Sequence, residues 1–156
     1  MIVQYTAAAI VNDLATRAHP ASVYSIPTSA NAEDHVSMGA NEARHVLEMT
    51  HDLAKVIALE IYTAAQALEF RKDMINAARQ LGSPDFAEFM QEVEALRLEL
   101  AEASEFTPGN AVAAALLALR KHISFMHSDR AMNFEVQQMV DLVEHGELLM
   151  AARSAL

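Results

Sequence analysis

The chain has no cysteine among its 156 residues, so it has neither a disulfide framework nor a thiolate metal site, and its composition fits a reducing compartment. Glycine and proline are scarce, four of each, too few for the closely spaced turns of an all-β sandwich. No two glycines lie close together, which excludes a glycine-rich phosphate loop. Basic residues are outnumbered, 11 Lys and Arg against 21 Asp and Glu, for a formal charge of -10 at pH 7. No nucleic acid and no anionic membrane surface is expected as a partner. No stretch reaches the roughly 18 uninterrupted apolar residues of a spanning helix. The start, Met1-Ile2-Val3-Gln4-Tyr5, has no basic leader of a secretory signal. A soluble, cytoplasmic protein is the expectation.

What is abundant is Ala, Leu, Glu and Met, and 53% of the residues are hydrophobic, which predicts a mostly helical chain with one core and a single domain over 1–156. Ile2, Tyr5, Ala9, Val11 and Leu14 suit a helix over Ile2 to Ala18, with Asp13 and Arg17 as a surface pair and Pro20 ending it. A long helix follows from Val36 to about Leu81, apolar on nearly every face from Leu53 to Phe70. A helix without a polar face must be surrounded, and its length exceeds the diameter of a compact domain of this size, so part of it is expected to pack against other chains. Gly82-Ser83-Pro84-Asp85 reads as a helix stop and start. A third helix to about Ser104 places Phe86, Phe89, Met90, Val93, Leu96 and Leu100 on one face and leaves Glu88, Glu92, Glu99 and Glu102 solvated. Thr107-Pro108-Gly109-Asn110 interrupts the chain. A fourth helix runs from Ala111 to about His122, a fifth from Phe134 to His145 with Gly146 as its stop, and the last residues suit a short sixth. The expected fold is therefore all-α, an elongated bundle of about five to six helices around one long central helix.

Pro20, Pro27 and a cluster of Ser and Thr make the stretch up to Asn31 irregular and too particular for a flexible linker. By residue type alone, Asn31-Ala32-Glu33-Asp34 is first a helix N-terminus, with Asn31 as cap and the acidic pair at the positive end of the dipole. In the functional reading, Glu33 presents a carboxylate to a cationic amine or an imidazole while Asn31 and Asp34 cap. Two Glu-x-x-His pairs, Glu42 with His45 and Glu48 with His51, invite a di-iron site, but that chemistry needs the pairs on different helices with further carboxylates facing them. Here they share one predicted helix and point to different faces, so a solvated, charged face is favoured and no metal site is expected. His19, His35, His122, His127 and His145 show no ligand spacing and suit surface or capping positions. The nine methionines are spread over all the helices and read as core filling. Ser22 lacks the surroundings of a nucleophilic serine.

The run Ser25-Ile26-Pro27-Thr28-Ser29-Ala30-Asn31-Ala32-Glu33-Asp34-His35-Val36-Ser37-Met38-Gly39 resembles the C-terminal half of histidine ammonia-lyase and its aromatic amino-acid relatives. So do Gln4-Tyr5-Thr6-Ala7-Ala8-Ala9, His19-Pro20-Ala21-Ser22 and Ala58-Leu59-Glu60. In that family the corresponding segment reads Ser-Ala-Asn-Gln-Glu-Asp-His-Val-Ser-Met-Gly, and this chain departs from it only at Ala32, where the family usually has Gln. The likeness is specific through about Arg71, with the site loop at 20–39, poor from Lys72 to Pro108, and weaker but recognisable over Gly109 to Val143 within the C-terminal helices at 109–156.

The resemblance implies a helical region like the C-terminal part of the ammonia-lyase/fumarase-type fold, with Glu33 as a substrate-binding residue. It also implies self-association as a homotetramer or homodimer through the central helix and a role in histidine catabolism. The family's electrophile is a methylidene-imidazolone formed from an internal Ala-Ser-Gly, and a tyrosine base lies on an N-terminal loop. No Ala-Ser-Gly occurs here, so this chain is expected to hold no cofactor, to be inactive by itself, and to rely on a partner chain, an N-terminal lyase subunit, for the electrophile. The likeness begins at Met1, inside a long helix of the family. Two expectations compete with it: a non-catalytic helical scaffold or regulatory protein derived from the lyases, which Ala32 favours, and a truncated product of a larger gene.

Overall fold

The computed structural model describes residues 2–80, 91–102 and 107–156. Its elements are α1 (Ile2–Arg17), α2 (Gly39–Gln80), α3 (Gln91–Glu102), α4 (Asn110–Arg120), α5 (Asn133–Glu144) and α6 (Glu147–Ser154), with 3₁₀ turns at Ala21–Val23 and Ser29–Asn31. Among the described residues the fold is all-helical, as the composition predicts, and no helix is long and apolar enough to cross a membrane.

No glycine or proline interrupts residues 40–80, so α2 runs unbroken for 42 residues, about 63 Å at the α-helical rise. It begins at Gly39, later than the sequence expectation of Val36. Asn31 is not its N-cap. The N–H groups of Asn41 and Glu42 donate to the Met38 carbonyl at 3.1 and 3.3 Å, and the acidic residue in the first turn is Glu42. The predicted stop and start at Gly82-Ser83-Pro84-Asp85 and the face through Phe86, Phe89 and Met90 lie outside the described residues. The later helices fall within a residue or two of their predicted bounds. Gly146 sits in the left-handed region at φ 69°, where an L residue is disfavoured and glycine is the natural stop between α5 and α6.

The described residues form two compact units. The first holds residues 1–60 and 133–145. There Ala54, Ala58 and Leu59 of α2 and Met139, Val140 and Leu142 of α5 are buried. Arg17, at the end of α1, donates to Asp52 of α2 at 2.9 Å and pairs with Asp13 at 2.7 Å, the surface pair that the spacing predicts. No residue of α1 is buried. Ile2 is 73% and Tyr5 70% exposed, and along α2 Val46, Leu47 and Leu53 are also exposed.

The second unit holds residues 61–132 and 146–156. Here α4 packs on α6, and Ala65, Ala118, Leu119, Ile123 and Leu148 are buried. The connection after α4 is pinned to α2 by reciprocal bonds between the Gln66 amide and the backbone of Met126, at 2.8 and 3.1 Å. The Arg120–Glu69 ion pair and an edge-on contact between Phe70 and Phe125, with ring centroids 5.1 Å apart, hold it further.

Candidate active-site loop

Between α1 and α2 the chain folds into a loop whose ties nest inside one another. At its mouth the Ala21 N–H donates to Glu42 Oε2 at 2.6 Å. Further in, the Ser25 hydroxyl donates to the Val36 carbonyl and accepts from the Val36 N–H, both at 2.9 Å. At the tip, Thr28 and Glu33 exchange backbone bonds, Thr28 N–H to the Glu33 carbonyl at 2.9 Å and Glu33 N–H to the Thr28 carbonyl at 3.3 Å. Each tie joins backbone that would otherwise compete for helix, which is why the helical start that the Asn-x-Glu-Asp string suggests does not form.

The tip turns through three consecutive residues in the left-handed region, Ser29 (φ 53°), Ala30 (φ 53°) and Asn31 (φ 69°). L residues, Ala30 above all, pay roughly 1–2 kcal/mol each there, so the conformation persists only where the surroundings over-determine it. The Glu33 side chain projects from this turn. It is exposed, and the Thr28 hydroxyl donates to its Oε2 at 2.8 Å. A carboxylate so held keeps acceptor capacity on its other oxygen. Asn31, Asp34 and His35 are exposed on the same loop, and Tyr5 is exposed on α1.

The two Glu-x-x-His pairs part company, as the helical spacing predicts. Glu42 reaches the Ala21 N–H, Glu48 accepts from Arg44 at 2.6 Å, and His51 Nδ1 lies 2.8 Å from Glu144 Oε1. Against the expectation of a solvated, partly charged face, His51 is exposed while Glu42, His45 and Glu48 are half-buried. His45 Nδ1 is shielded from water and has no hydrogen-bond partner among the described residues. His145 Nδ1 meets the Asp141 carbonyl at 2.7 Å, a capping role at the end of α5.

Sequence reasoning missed the parts played by Ser25, Thr28 and Glu42. Thr28 and Ser25 were inside the singled-out loop, but nothing local marks Glu42. Asp52, close by on α2, is held below the usual carboxylate range. The hydrogen bond from Lys55 is the main cause, burial opposes it, and the charges of Lys55, Arg17 and His51 add to it.

The family model for aromatic amino acid lyase matches residues 1–95. Histidine ammonia-lyase of Gloeobacter violaceus is 34% identical over 155 residues, 99% of this chain and 24% of that protein. That of Caldanaerobacter subterraneus subsp. tengcongensis is 57% identical over 72 residues, 46% of this chain and 14% of that protein. The crystal structure of histidine ammonia-lyase from Trypanosoma cruzi superposes with a TM-score of 0.69 at 24% identity, covering 100% of this chain and 25% of that one. The chain belongs to the aromatic amino acid lyase family. It spans about a quarter of the length of the curated relatives it matches.

Proposed function

We propose that this chain supplies the C-terminal helical part of a histidine or aromatic amino-acid ammonia-lyase, contributing an assembly surface and the loop that carries Glu33, and that it is inactive without a segment bearing the electrophile. The carrying observation is the loop. The string from Ser29 to Gly39 opens with a strained turn of three left-handed residues, and the exposed Glu33 carboxylate that follows it is tied by Thr28. Glu33 would hold the amine or the ring of an amino-acid substrate by charge and position. It cannot serve as the covalent electron sink, a role the family gives to the methylidene-imidazolone. Without Ala-Ser-Gly the residues of this chain do not build that group, and no step through it is assigned to them. The exposed apolar residues of α1 and of the first part of α2 support self-association, as a homotetramer or homodimer.

The test is co-expression with a polypeptide carrying the rest of a lyase, Ala-Ser-Gly included. The expected result is the near-ultraviolet absorbance of the electrophile and release of ammonia from histidine or an aromatic amino acid, with neither from this chain alone. Glu33→Gln should then lower turnover on the order of 100-fold with assembly unchanged. Wild-type turnover in that variant would remove Glu33 from the site, and a monodisperse monomer by light scattering would remove the assembly role. One observation favours a scaffold or regulatory protein instead. Ala32 stands where the family usually has Gln, which takes both a donor and an acceptor from the region of the cofactor. A complete partner that yields neither absorbance nor ammonia would select that second reading.

A further inference from the structure

We propose that Glu42 is a positioning residue for the loop that carries Glu33, acting from the first turn of α2 on the opposite end of the loop. The inference rests on the lyase reading of that loop and adds to it a residue outside the matched string from Ser29 to Gly39. Ala21 opens a 3₁₀ turn, and its predecessor, Pro20, makes no side-chain cap bond. The Ala21 N–H is therefore a donor that its own turn leaves unsatisfied. The Glu42 carboxylate takes it at 2.6 Å in a partly buried setting, the short distance of a charge-assisted bond.

Glu42 is suited to this because its backbone belongs to α2, and the positive end of that helix favours a negative charge in the first turn. It is thus fixed to a rigid element while its carboxylate reaches across the loop mouth. The ties at Ala21–Glu42, Ser25–Val36 and Thr28–Glu33 nest in order around the left-handed tip. Opening the outermost tie lets the loop entry move, and the strained turn at Ser29–Asn31 loses one of the restraints that keep Glu33 where it is.

Amide hydrogen exchange on the full chain tests this without any enzyme activity. With Glu42→Ala, exchange at Ala21 should rise about tenfold, and exchange at Thr28 and Glu33 should rise with it. Glu42→Gln keeps a carbonyl acceptor and should give intermediate values, the partial rescue that a merely space-filling residue would not show. Unchanged exchange at Ala21 in Glu42→Ala overturns the proposal, and so does a rise confined to Ala21. Should Glu42→Ala lose helicity, Glu42→Gln is compared with Glu48→Gln, a neighbour that pairs elsewhere. Faster exchange at Ala21 in the first alone supports the proposal, and equal exchange in both overturns it. Because the reading is made on this chain alone, a failed reconstitution would count against the lyase reading and leave the exchange result standing.

Discussion

The loop between α1 and α2 and the second unit are held by different physics. In the loop, hydroxyls and carboxylates bind backbone groups across the chain, and no residue from Ala18 to Met38 is buried. In the second unit, Ala118, Leu119, Ile123 and Leu148 are removed from water, and polar bonds such as Gln66 to Met126 finish the connection rather than create it. Burial is insensitive to direction, so the second unit is specified by which residues are apolar. Hydrogen bonds are directional, so the loop is specified by where single oxygen atoms stand. A family can change much of its helical packing and keep the former kind of order, while one lost hydroxyl can undo the latter.

The sharpest way to break the contrast is to attack the apolar side. Leu119 is 1% exposed, and Leu119→Ala should cost about 3 kcal/mol in denaturant unfolding. A loss below about 1 kcal/mol would mean that the second unit is not organised by that burial. Next comes the loop. Ser25→Ala strips the partner from both the N–H and the carbonyl of Val36 and should cost about 1 kcal/mol. Its exchange signature should stay within the loop, and a cooperative loss of helix elsewhere would erase the distinction drawn above.

The smallest effect is at the α1 to α2 tie. Asp52→Asn should cost about 0.5 kcal/mol at neutral pH, as expected for a largely exposed network with one partly buried member. Because the folded carboxylate titrates below its ordinary value near 3.8, its contribution is complete above that value and is lost as pH falls through the lower, folded one. The difference between the wild type and the variant should therefore close in acid. A gap that widens as pH falls would contradict the assignment.

The helices were legible because their evidence is local. Apolar residues at helical spacing announced α1, a run apolar on nearly every face announced α2, the turn residues at 107–110 and Gly146 bounded the later helices, and Asp13 with Arg17 announced their own pairing. The beginning of α2 was not legible, because Asn31-Ala32-Glu33-Asp34 carries the residue types of a helix cap while its backbone is committed to Thr28 and Ser29. Glu42 was hidden for the same reason in reverse. Its neighbours on the helix suggest a solvated face, and only the return of the chain at Ala21 supplies its partner. Glu33 stood out through the resemblance of the surrounding string, since residue type alone favoured the capping role.

The turn at Ser29–Asn31 sets a handedness problem as well as an energetic one. An L-alanine at position 30 adopts a backbone that suits its mirror image, so a semisynthetic chain with D-alanine there would keep the methyl group and shed the tension. Such a chain would be sturdier while holding its neighbouring acid in the same pose, which would separate what the turn costs from what it accomplishes.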